Sequence, residues 1–293
     1  MVVSLFMGWR HVCFANWPVD PELVRPQLPE RLTLDTDDGQ AWLSVVPFTN
    51  VDVRPRVFPA GTGVALPELN LRTYVTVDGT PGVYFFSLDA DGILAVVGAR
   101  VFHHLPYYYA DVDLIDDNIH LTDTDIDLTD ADIDPTDADI DRTDADIDPT
   151  DADIDRTDAD IDRTDAAVDR TDADIDLVEE HGRIRFRCRR RHPGARPVAF
   201  DATYGPSGDR IEVESDTLAH FLTERYRYYT EAPDGSIRYA DIQHEPWPVY
   251  DADVEIAENT LFEANGFASP ETDPVHLYSP GVETIASRSK RIR

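Results

Sequence analysis

The sequence predicts a β-rich α+β fold, a closed or nearly closed β-barrel with few short helices, interrupted by a long acidic insertion. Three observations predict it. Most apolar runs are short, β-branched and aromatic, and are separated by turn residues. Helix signals are confined to two segments. Between Thr122 and Leu177 a seven-residue unit, TDTDIDL, TDADIDP, TDADIDR and so on, recurs eight times with one blemish at Ala166-Ala167-Val168, which leaves two ordinary flanks, residues 1–121 and 178–293. Either flank alone would leave sheet edges unpaired, so both are expected to build a single domain around the insertion at 122–177.

In chain order, the first helix is expected at Asp20-Pro21-Glu22-Leu23-Val24, where Asp20 is an N-cap, Pro21 suits the first helical position and Glu22 places an acid in the first turn. Residues 40–48 and 71–77 read as strands, the second ended by Asp78-Gly79. Residues 83–88 and 93–102 follow at hairpin spacing, joined through Asp91-Gly92, and make a meander. A strand at 107–114 is expected to pair with residues 183–189, in which Ile184, Phe186 and Cys188 alternate with four arginines. That pairing would make the repeat an overgrown hairpin loop. The arginines are expected on the outer face against surface carboxylates. The second helix is expected to open at Ser215-Asp216 and to carry Leu218, Phe221, Leu222, Arg225 and Tyr226 along one edge.

The repeat fits neither regular structure. Its Ala and Ile lie two positions apart, not three and four as a coiled coil needs, and an odd repeat length would flip Ile to the opposite face of a strand in each unit. With 23 Asp and 4 Arg in the tract, like charge and low hydrophobicity favour a disordered, extended loop. Asp130, Asp132 and Asp134 have the alternate spacing of a calcium loop, but the turn glycine and closing glutamate are absent. Weak, diffuse cation binding is the expectation for a dispensable insertion.

The whole chain carries 58 acids against 26 bases, a net charge of −32, which excludes nucleic acid and anionic membrane as partners. Lys290 is the only lysine. Acid excess with scarce lysine resembles proteins of salt-accumulating halophilic archaea, and low salt should then destabilise the fold. Cys13 and Cys188 read as buried thiols in a reducing compartment, residues 2–7 have no basic stretch before them as a signal peptide would, and no apolar run approaches the roughly 18 residues of a membrane span. A soluble, cytoplasmic protein is expected. No metal or other cofactor is expected. His103 and His104 would point to opposite faces of a strand, His244 reads as a packed loop residue beside Pro246-Trp247-Pro248, and none of the nine histidines has metalloenzyme spacing.

Several stretches occur together and in order: Asn16-Trp17-Pro18-Val19-Asp20-Pro21-Glu22, Leu28-Pro29, Trp42 with Val46-Pro47-Phe48, Glu68-Leu69-Asn70-Leu71-Arg72-Thr73-Tyr74, Phe85-Phe86-Ser87-Leu88-Asp89, Leu105-Pro106-Tyr107-Tyr108, Glu224-Arg225-Tyr226 and His244-Glu245-Pro246-Trp247-Pro248. The pattern resembles the YqjF-like family of uncharacterised proteins over nearly all of the chain outside the repeats. That family is similar in turn to the acetoacetate decarboxylase superfamily, which implies a β-barrel with a central cavity. In the decarboxylase a lysine pair supplies the Schiff base, and the resemblance puts Tyr107 and Tyr108 in its place. A phenol cannot condense with a ketone, so Schiff-base decarboxylation is not expected here.

On such a barrel Glu68, Asn70, Arg72 and Tyr74 alternate along one strand and share a face. With Arg100, Tyr107 and Tyr108 from neighbouring strands they form a candidate pocket for a small carboxylate or carbonyl compound, an arginine pairing with the acid and Tyr and Asn donating neutral hydrogen bonds. Glu68 and Tyr107 could do non-covalent acid/base chemistry there. The competing readings are a Glu68–Arg72 ion pair that fixes register and binds nothing, a structural or interaction protein that works through its surface or acidic tract, and a lyase using acid/base chemistry. Ser87 with His103 would need an elbow motif and a third partner to form a hydrolase site.

Overall fold

Period-two alternation dominates the flanks, and in the computed structural model it becomes a strand-rich sheet with three short α-helices and one 3-10 turn among the described residues. The structure describes residues 4–92, 104–116 and 182–292. The expected strand at 93–102, with Arg100, and also His103 and the repeat tract, lie outside the described residues. Those described fall in one of the chain's two contact units, residues 1–120 with 176–293.

The strands are β1 (Leu5–Val19), β2 (Thr33–Leu34), β3 (Ala41–Pro55), β4 (Val64–Val77), β5 (Thr80–Ala90), β6 (Tyr107–Asp116), β7 (Ile184–Arg190), β8 (Ala199–Ile211), β9 (Arg227–Glu231), β10 (Ile237–His244), β11 (Val249–Asn259), β12 (Val275–Ala286) and β13 (Lys290–Arg291). The helices are α1 (Pro21–Val24), α2 (Leu218–Thr223) and α3 (Leu261–Ala264). The Asp20 carboxylate caps α1 as expected, accepting the Glu22 backbone N–H at 2.8 Å. The cap of α2 is Thr217, not Ser215 or Asp216, and the helix stops at Thr223. Arg225 and Tyr226 therefore lie beyond it, and the Arg225 guanidinium donates back to the Phe221 carbonyl at 2.7 Å. The four residues of α3 bury Leu261 and Phe262 and are too few to leave a periodic signal in the sequence.

β3, β4 and β5 pair antiparallel in succession, the part of the expected meander that falls among the described residues, with Asp78 (φ 49°) and Gly79 (φ 75°) both left-handed in the β4–β5 turn, as a two-residue hairpin with primed geometry requires. β6 lies parallel to β5, with Leu88 opposite Tyr107, and antiparallel to β7 from Ala110↔Arg190 to Asp116↔Ile184. The expected pairing of these two strands is thus present. Ile184, Phe186 and Cys188 are fully buried, while Arg185 and Arg187 meet Asp201, Arg183 meets Asp253 and Arg189 meets Glu258 on the outer face.

The pairings close on themselves twice. One circuit runs β5-β6-β7-β8-β11-β12-β1-β3-β4 and returns to β5; another leaves β5 through β9 and β10 to reach β12. Two apolar clusters pack against the strands, and the spaces they fill are the first and second interiors. Leu69, Leu71, Phe186, Phe200 and Tyr204 belong to the first, and Phe14, Trp42, Phe48, Tyr74, Tyr228 and Trp247 to the second. β4 belongs to both circuits, so alternation sends Leu69 and Leu71 into the first interior and Glu68, Asn70, Arg72 and Tyr74 toward the second.

Candidate functional site

Glu68 is the centre of one group. It is 3% exposed, and its carboxylate accepts the Tyr107 hydroxyl at 2.7 Å, an Asn50 amide N–H at 3.3 Å and a more distant Asn70 amide N–H at 3.5 Å. No cation among the described residues forms an ion pair with it. Burial therefore dominates, with the Asp89 charge adding to it, and raises the Glu68 carboxyl to about 7 against the three hydrogen bonds that oppose the shift. Burial and the adjacent carboxylate likewise raise the Tyr107 phenol well above its ordinary range, so Tyr107 is a donor here and not a phenolate.

Arg72 and Tyr74 form a second group. Arg72 does not pair with Glu68; its Nη2 donates to the Leu222 carbonyl at 3.1 Å near the end of α2, and its guanidinium carbon lies 5.3 Å from the Phe14 ring centroid. The Tyr74 hydroxyl donates to the same carbonyl at 2.9 Å and lies 2.8 Å from Ser44 Oγ, which in turn donates to Asn16 Oδ1 at 2.6 Å. This end of the β4 face anchors α2. The register-fixing Glu68–Arg72 ion pair is not formed.

Tyr108 is separated from Tyr107. Adjacent strand residues face opposite ways, and Tyr108 covers the Arg190 guanidinium at 3.9 Å on the side of the first interior. Arg190 there grips Asp89 with two parallel bonds of 2.5 and 2.7 Å, both side chains buried. Ser87 is also on that side, fully buried and accepting from Asn265 Nδ2 at 3.0 Å. The placement of Tyr107 and Tyr108 in one pocket is thereby corrected. Lys290 sits at the surface, 3.1 Å from Asp241. His244 packs among Trp9, Trp247 and Tyr226, and burial lowers its pKa.

Sequence reasoning missed Asn50, because the expected strand ended at residue 48 whereas β3 continues to Pro55. The signal was present: Ser44, Val46, Phe48 and Asn50 alternate on one face.

Several polar atoms facing the second interior have no hydrogen-bond partner among the described residues. They are Asn70 Oδ1, Arg72 Nε, Trp42 Nε1, Trp247 Nε1 and Thr284 Oγ1, the last lying between Val282 and Ala286 of the second cluster. Unpaired buried groups are rare in folded proteins, and each costs on the order of 1–3 kcal/mol. Two clefts, one of about 490 Å³ beside Tyr226 and His244 and one of about 410 Å³ beside Arg25 and Leu34, do not include Glu68, Arg72 or Tyr107 in their walls.

Comparison with solved structures defines the fold class. The chain is similar to an acetoacetate decarboxylase-like enzyme from Sphingomonas wittichii RW1 (TM-score 0.55, 12% identity, 99% of this chain and 93% of that one). It is also similar to the enduracididine biosynthesis enzyme MppR complexed with pyruvate (TM-score 0.53, 10% identity, 99% and 90%). These likenesses place it among acetoacetate decarboxylase-like folds. The chain belongs to the DUF2071 family, described as an uncharacterized conserved protein, which it matches over residues 6–158 and 154–283. A relative, the uncharacterized protein YqjF of Bacillus subtilis (strain 168), is 36% identical over 273 residues, covering 92% of this chain and 85% of that protein.

Proposed function

We propose that the protein binds a small carboxylate or carbonyl metabolite, without covalent chemistry, in the interior of the second strand circuit, which we read as barrel-like. Glu68, Asn70, Arg72 and Tyr107 are its principal contacts, and Arg100 is assigned to the same set from sequence. The supporting observation is the group of unpartnered buried polar atoms, three of them N–H donors, on the side where an uncompensated carboxyl sits. An oxygen-rich ligand would satisfy those donors, while the Glu68–Tyr107 pair could hand a proton to a carbonyl or accept one from a hydroxyl. The fold neighbour solved with pyruvate holds a molecule of this chemical kind. A Schiff base has no amine to form on, because Lys290 lies at the surface against Asp241. The same reading takes the repeat as an insertion with diffuse cation binding, and the net charge of −32 as adaptation to a salty cytoplasm.

The test is thermal unfolding in molar salt with acetate, pyruvate and acetone as probes. Binding of at least one probe to the native chain raises Tm, and Arg72→Gln and Asn70→Leu reduce that rise. No shift with any probe at millimolar concentration, or shifts indifferent to both variants, would overturn the proposal.

A further inference from the structure

Asn50 is held by partners that allow its amide only one orientation. The Trp9 indole N–H, which can only donate, points at Asn50 Oδ1 at 2.9 Å. The amide nitrogen must then face the other way, where it meets Glu68 Oε2 at 3.3 Å and the Leu66 carbonyl at 3.2 Å, both acceptors. Trp9 is itself fixed, stacked on Trp247 with centroids 5.6 Å apart and planes 6° from parallel, and met edge-on by Phe48 at 5.9 Å. Without the indole N–H, the Asn50 amide could turn its oxygen toward Glu68 and repel the carboxylate.

We propose that Trp9 and Asn50 are positioning residues for the binding site: the indole locks the Asn50 amide so that an N–H always faces Glu68, and this sets the pH at which Glu68 releases its proton. The inference deepens the function proposed above and rests on it for its biological meaning. The other groups that act on Glu68 are Tyr107 from β6, whose phenol also feels Tyr228 of β9, Asn70 on its own strand, and, by its charge from the opposite face of the sheet, Asp89 of β5, which Arg190 holds. All donors to Glu68 among the described residues are neutral. Removing one of three such bonds therefore takes away a large share of what holds the proton off.

The experiment follows Glu68 itself, in the full-length protein in molar salt and without ligand, by infrared difference spectroscopy of the protonated carboxyl, assigned by its loss in Glu68→Gln. Asn50→Leu is expected to raise the titration midpoint by about one pH unit, the size of one lost hydrogen bond to a charged acceptor. Trp9→Phe keeps the stacking ring, deletes the indole N–H, and is expected to raise the midpoint by a smaller amount. Asn50→Gln, which restores an amide donor, is expected to return it toward the native value. A midpoint unchanged in folded Trp9→Phe and in whichever of Asn50→Leu and Asn50→Ser folds would overturn the inference. Because no ligand is present, a failure to bind any probe acid leaves this measurement intact, and the two proposals can fail separately.

Discussion

Glu68 should make the protein less stable as pH rises through neutrality, and the effect can be sized. Its carboxyl titrates near 7 in the folded chain and near 4.5 when free of the fold. The folded state therefore holds a proton that the unfolded state has already lost, and unfolding is favoured by each step of pH in that interval. The contribution is fully present below the unfolded value and disappears as pH climbs through the folded one. Between pH 5 and pH 8 the linkage amounts to about 2.5 kcal/mol. Other carboxyls work the opposite way: Asp52, Asp201, Asp234 and Asp241 are held below their ordinary range by hydrogen bonds and nearby cations. The quantity to measure is thus the difference between the native chain and Glu68→Gln, from denaturant unfolding in molar salt at each pH. The native chain should lose about 2.5 kcal/mol relative to the variant across that range. A difference that stays flat, or that grows with pH, would refute the argument that burial outweighs the three neutral donors.

Arg190→Met should lower stability by about 3–5 kcal/mol in denaturant melts, since it strands the Asp89 carboxylate in the first interior, and adding Asp89→Leu should recover more than half of that loss. Tyr74→Phe should lower stability by about 1–2 kcal/mol by the same measurement, because the hydroxyl bridges Ser44 and the Leu222 carbonyl in a buried site. Deleting residues 122–177 should leave Tm in molar salt within a few degrees of the native value, as β6 and β7 already pair on either side of the missing segment; a chain that no longer folds would contradict the reading of the tract as an insertion. Diluting the native chain from about 1 M to about 0.1 M salt lengthens the screening distance from about 3 to about 10 Å and should lower Tm, as followed by circular dichroism.

Much of the fold was legible because strand signals are local. The alternation in β7 separated its buried Ile184, Phe186 and Cys188 from the arginines, and those arginines do meet outer-face carboxylates. Asp20 announced α1 and Asp78-Gly79 announced a hairpin, each through chemistry contained in a few consecutive residues. The second helix was misplaced by two residues at its start, since Ser215, Asp216 and Thr217 are all competent caps and only packing selects among them. The same alternation rule, applied at Tyr107 and Tyr108, would have divided them between two faces.

The sequence by itself determined which residues of β4 share a side, because a period of two follows from strand geometry alone. It also determined that covalent amine chemistry has a single lysine to draw on, and that the resemblance spans both flanks. Only the tertiary structure decided what meets that face. Tyr107 reaches Glu68 across 39 residues, Asn50 across 18, and Arg190 reaches Asp89 across 101. The two closed circuits, which share β1, β3, β4, β5 and β12, arise from pairings such as β4 with β5 and β10 with β12. Such contacts depend on how the whole chain closes, where the gain from burial must outweigh the entropy of joining distant segments, and that balance has no signature in any local window of sequence.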